Sequence, residues 1–488
     1  MEETASRSHW EMPDREAGGD GTGRSEAELH RQPVVKDHSE RADPTRCVVA
    51  HINYLFFQST QSFLYFYLSH FRRIRPICLT RTPESALISH DTPRDLAGDL
   101  YRYGDNADDG NPVARTRLWR MGLRLRLALA HAPPWLAEPM LGVLHRVVVP
   151  RLRPEANAER FLAWAERIVR DRGVQILHAA FGPVGWALLP LKRRSGLPLV
   201  VTFLGDDLVT KLDPWWEWWI RRGSERPDWP RCLRELLDEG DLFLAEGPFL
   251  RQRLIDLGCA PEKVRVQRIG IPVRTMTPRA RRASQGGRTR LLFAGRLCEQ
   301  KGLLDALEAV RLLRERGRDV ELGIVGDDTL TDGRYASLVY DYIRTHRLGD
   351  RVVLHGFLNH AEYLRELRQA DIFVHPSVVG QNGISEGGAP TTILEAQALG
   401  IPVVATTHCD IPYVTVAGES AVLVPEGDAP ALAAALGTLL DHPERWDAMG
   451  AAGRRHVERH HDIEREVRLL EDRYFTLLGA EAAAPPRP

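Results

Sequence analysis

Hydrophobic positions along this chain gather into short unbroken runs, each followed by a stretch with an apolar stripe. Cys47-Val-Val-Ala-His-Ile, Pro76 to Thr80, Val174 to His178, Leu199 to Phe203, Asp241 to Ala245 and Val264 to Ile269 are such runs. A second series follows at Arg290 to Ala294, Val320 to Val325, Val352 to His355, Ile372 to His375 and Val403 to Ala405. Continuous apolar runs of this length are what strands need when helices cover both faces of their sheet. Helices are expected over Phe63 to Phe71, Gly185 to Arg194, up to Leu257, and after Gly295, where Leu303, Ala306, Leu307 and Val310 share one face. Strands alternating with helices wind into parallel sheets.

The alternation runs twice, and between the two series lies a stretch rich in Arg, Pro, Ser and Gly. The expected fold is therefore α/β, with two Rossmann-like doubly wound domains facing across a cleft. The expected division is an N-terminal domain at 45–274, a linker at 275–289, a second domain at 290–460, and a C-terminal helix and tail at 461–488. Residues 1–44 are polar and aperiodic and are expected to be a disordered tail.

Composition narrows the class. The 488 residues are 43% hydrophobic and 27% charged, as in globular proteins. No run reaches the ~18 to 20 apolar residues that span a bilayer, and the N-terminus lacks a leader pattern, so a cytoplasmic protein is expected. A formal net charge of -1 argues against a general nucleic-acid binder. The six cysteines are scattered with no C-x-x-C pair, which implies neither a zinc site nor a disulfide framework. Asp108-Asp-Gly and Asp327-Asp328 read as loop residues, so no metal is expected.

Two stretches stand apart. Residues 113–153 thread arginines, among them Arg117, Arg120, Arg124 and Arg126, through Leu, Trp, Met and Val. Such a basic amphipathic helix suits the anionic inner face of a plasma membrane, or it packs its apolar face on its own domain. Pro214-Trp-Trp-Glu-Trp-Trp219 is expected to line a binding groove, to stack on the rings of a bound ligand, to sit at a membrane interface, or to pack in the core.

Candidate chemistry concentrates in the second domain. Gly295-Arg-Leu-Cys-Glu-Gln-Lys-Gly302 joins a strand's carboxyl end to a helix, the edge where open α/β sheets bind ligands. Arg296 as a planar fork and Lys301 as a point charge suit a diphosphate, or are solvated first-turn residues. Ser385-Glu-Gly-Gly-Ala-Pro-Thr-Thr-Ile-Leu-Glu395 is a Gly-rich loop running into a helix, whose backbone N–H groups suit an anion. His375-Pro-Ser377 is a strand exit expected to position the Glu386 loop. Glu395 stands among Ile393, Leu394, Ala396 and Leu399, so it either caps a buried network or faces a cleft.

These segments resemble glycosyltransferase family 4, the retaining class with two Rossmann domains of GT-B type. The matching residues are Gly295-Arg-Leu with Lys301-Gly302, Ile324-Val-Gly-Asp327, Ala370-Asp-Ile-Phe-Val-His-Pro-Ser377, Glu386-Gly with Pro390 and Glu395-Ala, and Gly400-Ile-Pro-Val-Val-Ala-Thr406. Thr60-Gln-Ser-Phe63, His178-Ala-Ala-Phe-Gly-Pro-Val-Gly185 and Val201-Thr-Phe-Leu-Gly-Asp-Asp207 are similar to first-domain signatures of exopolysaccharide enzymes of the colanic-acid type.

The resemblance implies a retaining transfer from a UDP- or GDP-sugar to a polysaccharide or lipid-linked oligosaccharide. Arg296 and Lys301 would hold the leaving diphosphate. Glu386 would contact the donor sugar, Gly295, Gly387, Gly388, Pro390, Thr391 and Thr392 would lie by the phosphates, and Glu395 would bond the ribose. No cofactor or metal is implied. His178, Asp206 and Asp207 are the acceptor-side candidates, although a strand-end role for His178, satisfied by backbone, is its alternative. Glu386 and Glu395 have eight residues between them where the family has seven, and Leu204 and Ala180 stand where it often has histidine. A sugar-nucleotide epimerase and a nucleotide-sugar-binding partner without turnover are the competing readings.

Overall fold

The computed structural model describes residues 46–53, 62–80, 99–103, 154–208, 228–278, 287–327, 334–380, 383, 385 and 388–479. The expected tail at 1–44, the basic stretch at 113–153, the tryptophans at 215–219 and most of the linker lie outside them.

Among the described residues the strands form two parallel sheets. The first contains β1 (Cys47–Asn53), β2 (Ile74–Thr80), β3 (Leu100–Arg102), β4 (Ile176–Ala180), β5 (Leu199–Phe203), β6 (Leu242–Ala245) and β7 (Val264–Val266), in spatial order β3-β2-β1-β4-β5-β6-β7. The second contains β8 (Thr289–Ala294), β9 (Val320–Val325), β10 (Val352–Gly356), β11 (Ile372–His375), β12 (Val403–Thr406) and β13 (Ala421–Val424), in order β10-β9-β8-β11-β12-β13. The two doubly wound α/β domains expected from the pattern are present. In each sheet the order reverses once, between β1 and β4 and between β8 and β11, which creates two crevices at carboxyl edges.

Period two explains the unbroken apolar runs. Ala50, Ile52, Leu177, Ala179, Val201 and Phe203 face one core with helices Pro154–Asp171, Gly182–Ser195 and Trp229–Glu239. Their neighbours Val49, Cys78, Ile176 and Val200 face another core on the opposite side. Each fully buried Val or Leu contributes about 1.5–3 kcal/mol over leaving it exposed. Gly182 and Gly185 let their helix lie close on β5, because a Cβ at either would stand 2.6 Å from the Phe203 ring or 2.7 Å from Val201.

The C-terminal segment packs differently from a simple appendage. Helix Ile463–Leu477 places Ile463, Val467, Leu470 and Tyr474 on one stripe, and that stripe completes the first sheet's second core. Glu471, fully buried, accepts the Arg72 and Arg73 N–H groups at 2.7 Å and pairs with the Arg73 guanidinium at 3.0 Å. The outgoing and returning chains cross side by side. Ile271 N donates to His461 O at 2.8 Å, and Ile463 N donates to Ile271 O at 3.0 Å. Ile269, Ile271, Val273 and Met276 pack with the second sheet's core, although their position in sequence groups the first three with the first domain and Met276 with the linker. Hydrophobic patterning marks these residues as buried but carries no signal of which core receives them.

Candidate active site

At the second reversal point, three loops meet with almost no space between backbones. Gly326 has φ +132°, and a Cβ there would lie 1.9 Å from Gly295 O. Gly302 has φ +64°, and its Cβ would lie 1.8 Å from Pro376 O. Only glycine tolerates both the left-handed backbone and the contact. Leu297 N donates to Asp327 O at 2.8 Å, and Val378 N to Gln300 O at 3.0 Å, which ties the loop after β8 to the exits of β9 and β11. On this braced loop Arg296 and Lys301 are half-buried, and the Lys301 stem lies across Gly295, whose Cβ would meet Lys301 Cδ at 3.3 Å. Two cations are thereby held at a sheet's carboxyl edge. The His375-Pro-Ser377 exit braces this loop through Pro376, and Ser377 O accepts the Thr406 hydroxyl at 2.5 Å.

Glu395 lies on helix Thr391–Ala398 and is 3% exposed. Its Oε1 meets His360 Nε2 at 2.7 Å. Burial pulls the His360 imidazole down, but the Glu395 hydrogen bond and charge outweigh it and leave the group above its ordinary value. Burial and the same carboxylate push the Tyr363 phenol well above its ordinary range. Glu395 and His360 thus form a paired unit in which His360 remains partly exposed. Gly388, Ala389 and Pro390 are buried ahead of this helix, and Thr391 and Thr392 are half-buried at its start. Glu386 and Gly387 lie outside the described residues.

The crevice of the first sheet is chemically different. A pocket opens at the ends of β1 and β4, lined by His51, Tyr67, His178, Thr202, Glu246, Gln267 and Arg268 among apolar side chains that include Ala180 and Leu204. The two positions where the family often has histidine therefore present apolar surface to the pocket. His178 Nδ1 meets the Tyr474 hydroxyl at 2.5 Å and Nε2 meets Thr202 Oγ1 at 2.8 Å, so side chains satisfy it, not backbone. Burial lowers its pKa to about 3 and leaves it neutral. Burial, then His178, hold His51 well below its usual value too. Asp207 is 1% exposed, with Oδ2 accepting from Gly182 N at 2.8 Å and Oδ1 from Gly205 N at 2.9 Å and Leu204 N at 3.2 Å. Its carboxylate braces this loop against the helix that follows β4. The Asp206 side chain lies outside the described residues.

Two carboxylates bridge the domains. Glu246, at the end of β6, accepts from Ala389 N at 3.0 Å, and a Cβ on Gly388 would lie 1.7 Å from Glu246 Oε2. Asp410, from the second domain, accepts from Phe249 N at 2.8 Å and Leu250 N at 3.3 Å, capping the first-domain helix Pro248–Asp256. Burial raises the Asp410 carboxyl to about 6. Neither residue was singled out from sequence. Glu246 carried a usable signal, a carboxylate placed directly after an apolar strand, at the edge where ligands bind. Among the described residues no group of three or more His, Cys, Asp and Glu side chains is placed to hold a metal ion.

Residues 115–274 match the family described as Glycosyltransferase Family 4, and residues 288–442 match Glycosyl transferases group 1. The putative colanic acid biosynthesis glycosyltransferase WcaL of Salmonella typhimurium is 37% identical over 268 residues, 54% of this chain and 61% of that one. The amylovoran biosynthesis glycosyltransferase AmsK of Erwinia amylovora is 37% identical over 213 residues, 44% of this chain and 50% of that one. The chain thus spans between half and three-fifths of these relatives' lengths. Among solved structures, Anabaena HepE in complex with UDP and glucose superposes with a TM-score of 0.62 at 13% identity, covering 87% of this chain and 98% of that one. The sucrose-phosphate synthase of Thermosynechococcus elongatus gives 0.62 at 18% identity, covering 89% and 100%. Both likenesses are of fold.

Proposed function

Because the chain joins a family 4 glycosyltransferase domain to a glycosyl transferases group 1 domain, we propose that it is a retaining glycosyltransferase of exopolysaccharide biosynthesis. It moves a sugar from a UDP- or GDP-sugar to a polysaccharide or lipid-linked oligosaccharide. The observation that carries this reading is the glycine-braced loop after β8, which fixes Arg296 and Lys301 at the second sheet's reversal point.

In this mechanism Arg296 and Lys301 neutralise the charge that develops on the departing nucleoside diphosphate, with the loop before helix Thr391–Ala398 beside it. Two fixed cations and a helix N-terminus serve where other transferases use a metal. Glu395 bonds the ribose, Glu386 meets the donor sugar, and the donor phosphate takes the acceptor hydroxyl's proton on the face the leaving group vacates. The acceptor enters the first-sheet pocket, where neutral His178 and His51, apolar walls and the polar Gln267 and Glu246 suit the hydroxyls of a glycan end. The protein works at the cytoplasmic face of an anionic membrane, held there by the basic stretch at 113–153. No helix among the described residues is long and apolar enough to cross one.

The test is incubation with a panel of UDP- and GDP-sugars, reading nucleotide release with and without a lipid-linked glycan extract. One sugar nucleotide should be consumed faster when extract is present. Tight nucleotide binding with no release from any donor would replace this reading with that of a non-catalytic partner, and donor conversion without release would mean an epimerase. Flotation with anionic vesicles should weaken when Arg117, Arg120, Arg124 and Arg126 become Glu, and equal flotation would end the membrane proposal.

A further inference from the structure

The loops leaving β12 and β13 together carry a three-residue relay that the transfer mechanism does not use. Glu426 Oε1 lies 2.8 Å from His408 Nδ1, and His408 Nε2 lies 3.2 Å from Cys409 Sγ. His408 is 1% exposed, while Cys409 is half-buried. With Glu426 accepting the Nδ1 proton, the imidazole turns its Nε2 lone pair to the sulfur, the arrangement that draws the proton from a thiol. The Cys409 backbone has φ +46°, a left-handed conformation that costs a non-glycine residue about 1–2 kcal/mol. It stands on a sharp turn between a strand and the short helix Ile411–Val414. The other cysteines of the described core differ. Cys47, Cys78, Cys232 and Cys259 are buried, and burial raises the Cys47 and Cys259 thiols to about 11.

What surrounds the sulfur gives the relay a consequence. Ser385 Oγ, one residue ahead of Glu386 in the proposed donor loop, lies 3.3 Å from Cys409 Sγ. The next residue after Cys409 is Asp410, which holds the first-domain helix across the cleft. A change in volume at this sulfur therefore acts on the donor loop and on the interdomain contact together.

We propose that Cys409 is an activated thiol open to oxidation by hydrogen peroxide, and that its oxidation shuts the donor site. His408 takes the thiol proton and the sulfur attacks one peroxide oxygen. An S–O bond forms, the O–O bond breaks, and His408 returns the proton to the departing hydroxide as water. The sulfur loses two electrons to the peroxide and becomes a sulfenic acid, whose added oxygen displaces Ser385. The effect on transfer rests on the donor-site reading above. The reactivity of the thiol does not.

Iodoacetamide labelling of the whole chain, mapped by peptide mass, tests the thiol first, with half-buried Cys298 as the internal reference. Cys409 should react about tenfold faster or more than Cys298. Glu426→Gln, which keeps an oxygen for the Val379 N–H that Glu426 now accepts, should slow Cys409 alone. His408→Gln should do the same, so that one misfolded variant leaves the test standing. Equal rates at the two cysteines, or no change in both folded variants, would overturn the proposal. Peroxide should then add one oxygen at Cys409 and lower transfer about tenfold or more, reversibly with dithiothreitol, while Cys409→Ser keeps its rate. Oxidised Cys409 with undiminished transfer would overturn the switch. Absence of transfer from every donor, with fast labelling intact, would instead count against the donor-site reading.

Discussion

The two reversal points of this molecule are built from the same topology and reach opposite chemistry. In the second sheet, glycines at 302 and 326 let backbones touch, Gly295 makes room for the Lys301 stem, and the rigid loop so formed presents Arg296 and Lys301. In the first sheet, the strand ends carry His51 and His178, both held neutral by burial, over a largely apolar pocket. Cations on a braced loop mark one crevice, and neutral imidazoles beside Glu246 and Arg268 mark the other. The topology supplies a crevice in each sheet, and the side chains there give each its own chemistry.

Lys301→Ala breaks the comparison most directly. It should lower transfer about 100- to 1000-fold, the usual loss when one preorganised charge at a developing anion is removed. The melting temperature should stay near that of the wild type, because the loop's bracing runs through backbone and glycine. Steady-state nucleotide release reads the first and a thermal melt the second. Unchanged release would show that the cation does not touch the leaving group.

Gly388→Ala comes next. Its Cβ must displace Glu246 Oε2, which stands 1.7 Å from the position it would occupy. Overpacking of this kind costs about 1–3 kcal/mol, so donor KM should rise about tenfold. Adding Glu246→Ala removes the obstacle and should recover most of the loss. If the double variant is no better than the single one, the two crevices are not coupled through this contact.

The sequence foretells these crevices unevenly. Both sheets were readable because buried parallel strands leave unbroken apolar runs, and the cation loop was readable because its glycines and charges lie within eight residues of one another. Leu100–Arg102 and Ala421–Val424 were not foreseen, although Ala421–Val424 is as apolar and as long as the four-residue strands that were. The docking of helix Ile463–Leu477 was hidden for a physical reason. Its apolar stripe says that it packs, but Tyr474 meeting His178 joins residues 296 positions apart. Glu246 and Asp410 were missed likewise, because each acts on a backbone N–H far along the chain.

The interdomain contact at Asp410 sharpens the comparison through pH. Burial raises its pKa from the ordinary carboxylate value of 3.8 to about 6. The native state therefore binds the proton more tightly than the unfolded chain. Stability from this group is present below about pH 4 and lost as pH rises through 6. Asp410→Asn, which carries no charge to desolvate, should gain on the wild type across pH 4 to 6 and hold a constant offset above. Melting curves of both proteins at several pH values measure this. Parallel curves would show that the carboxylate titrates normally.

The smallest expected effect separates the first crevice from the donor chemistry altogether. Tyr474→Phe removes the hydroxyl partner of His178 Nδ1 and should cost about 1 kcal/mol of stability, as for a lost hydrogen bond that leaves a buried polar atom. Thr202 still holds Nε2, so the imidazole stays in place and neutral. Donor KM should not move, because nothing at the second reversal point touches Tyr474, while acceptor KM should rise slightly as the pocket floor loosens. His178 itself contributes stability fully above its unfolded pKa of about 6.5, and that contribution fades as pH falls toward 3. A transfer profile between pH 7 and 9 should therefore show no step from this residue in wild type or variant. A donor KM that rose with the acceptor KM held fixed would mean that the sugar nucleotide reaches into the first crevice, and the division of labour between the two sheets would have to be redrawn.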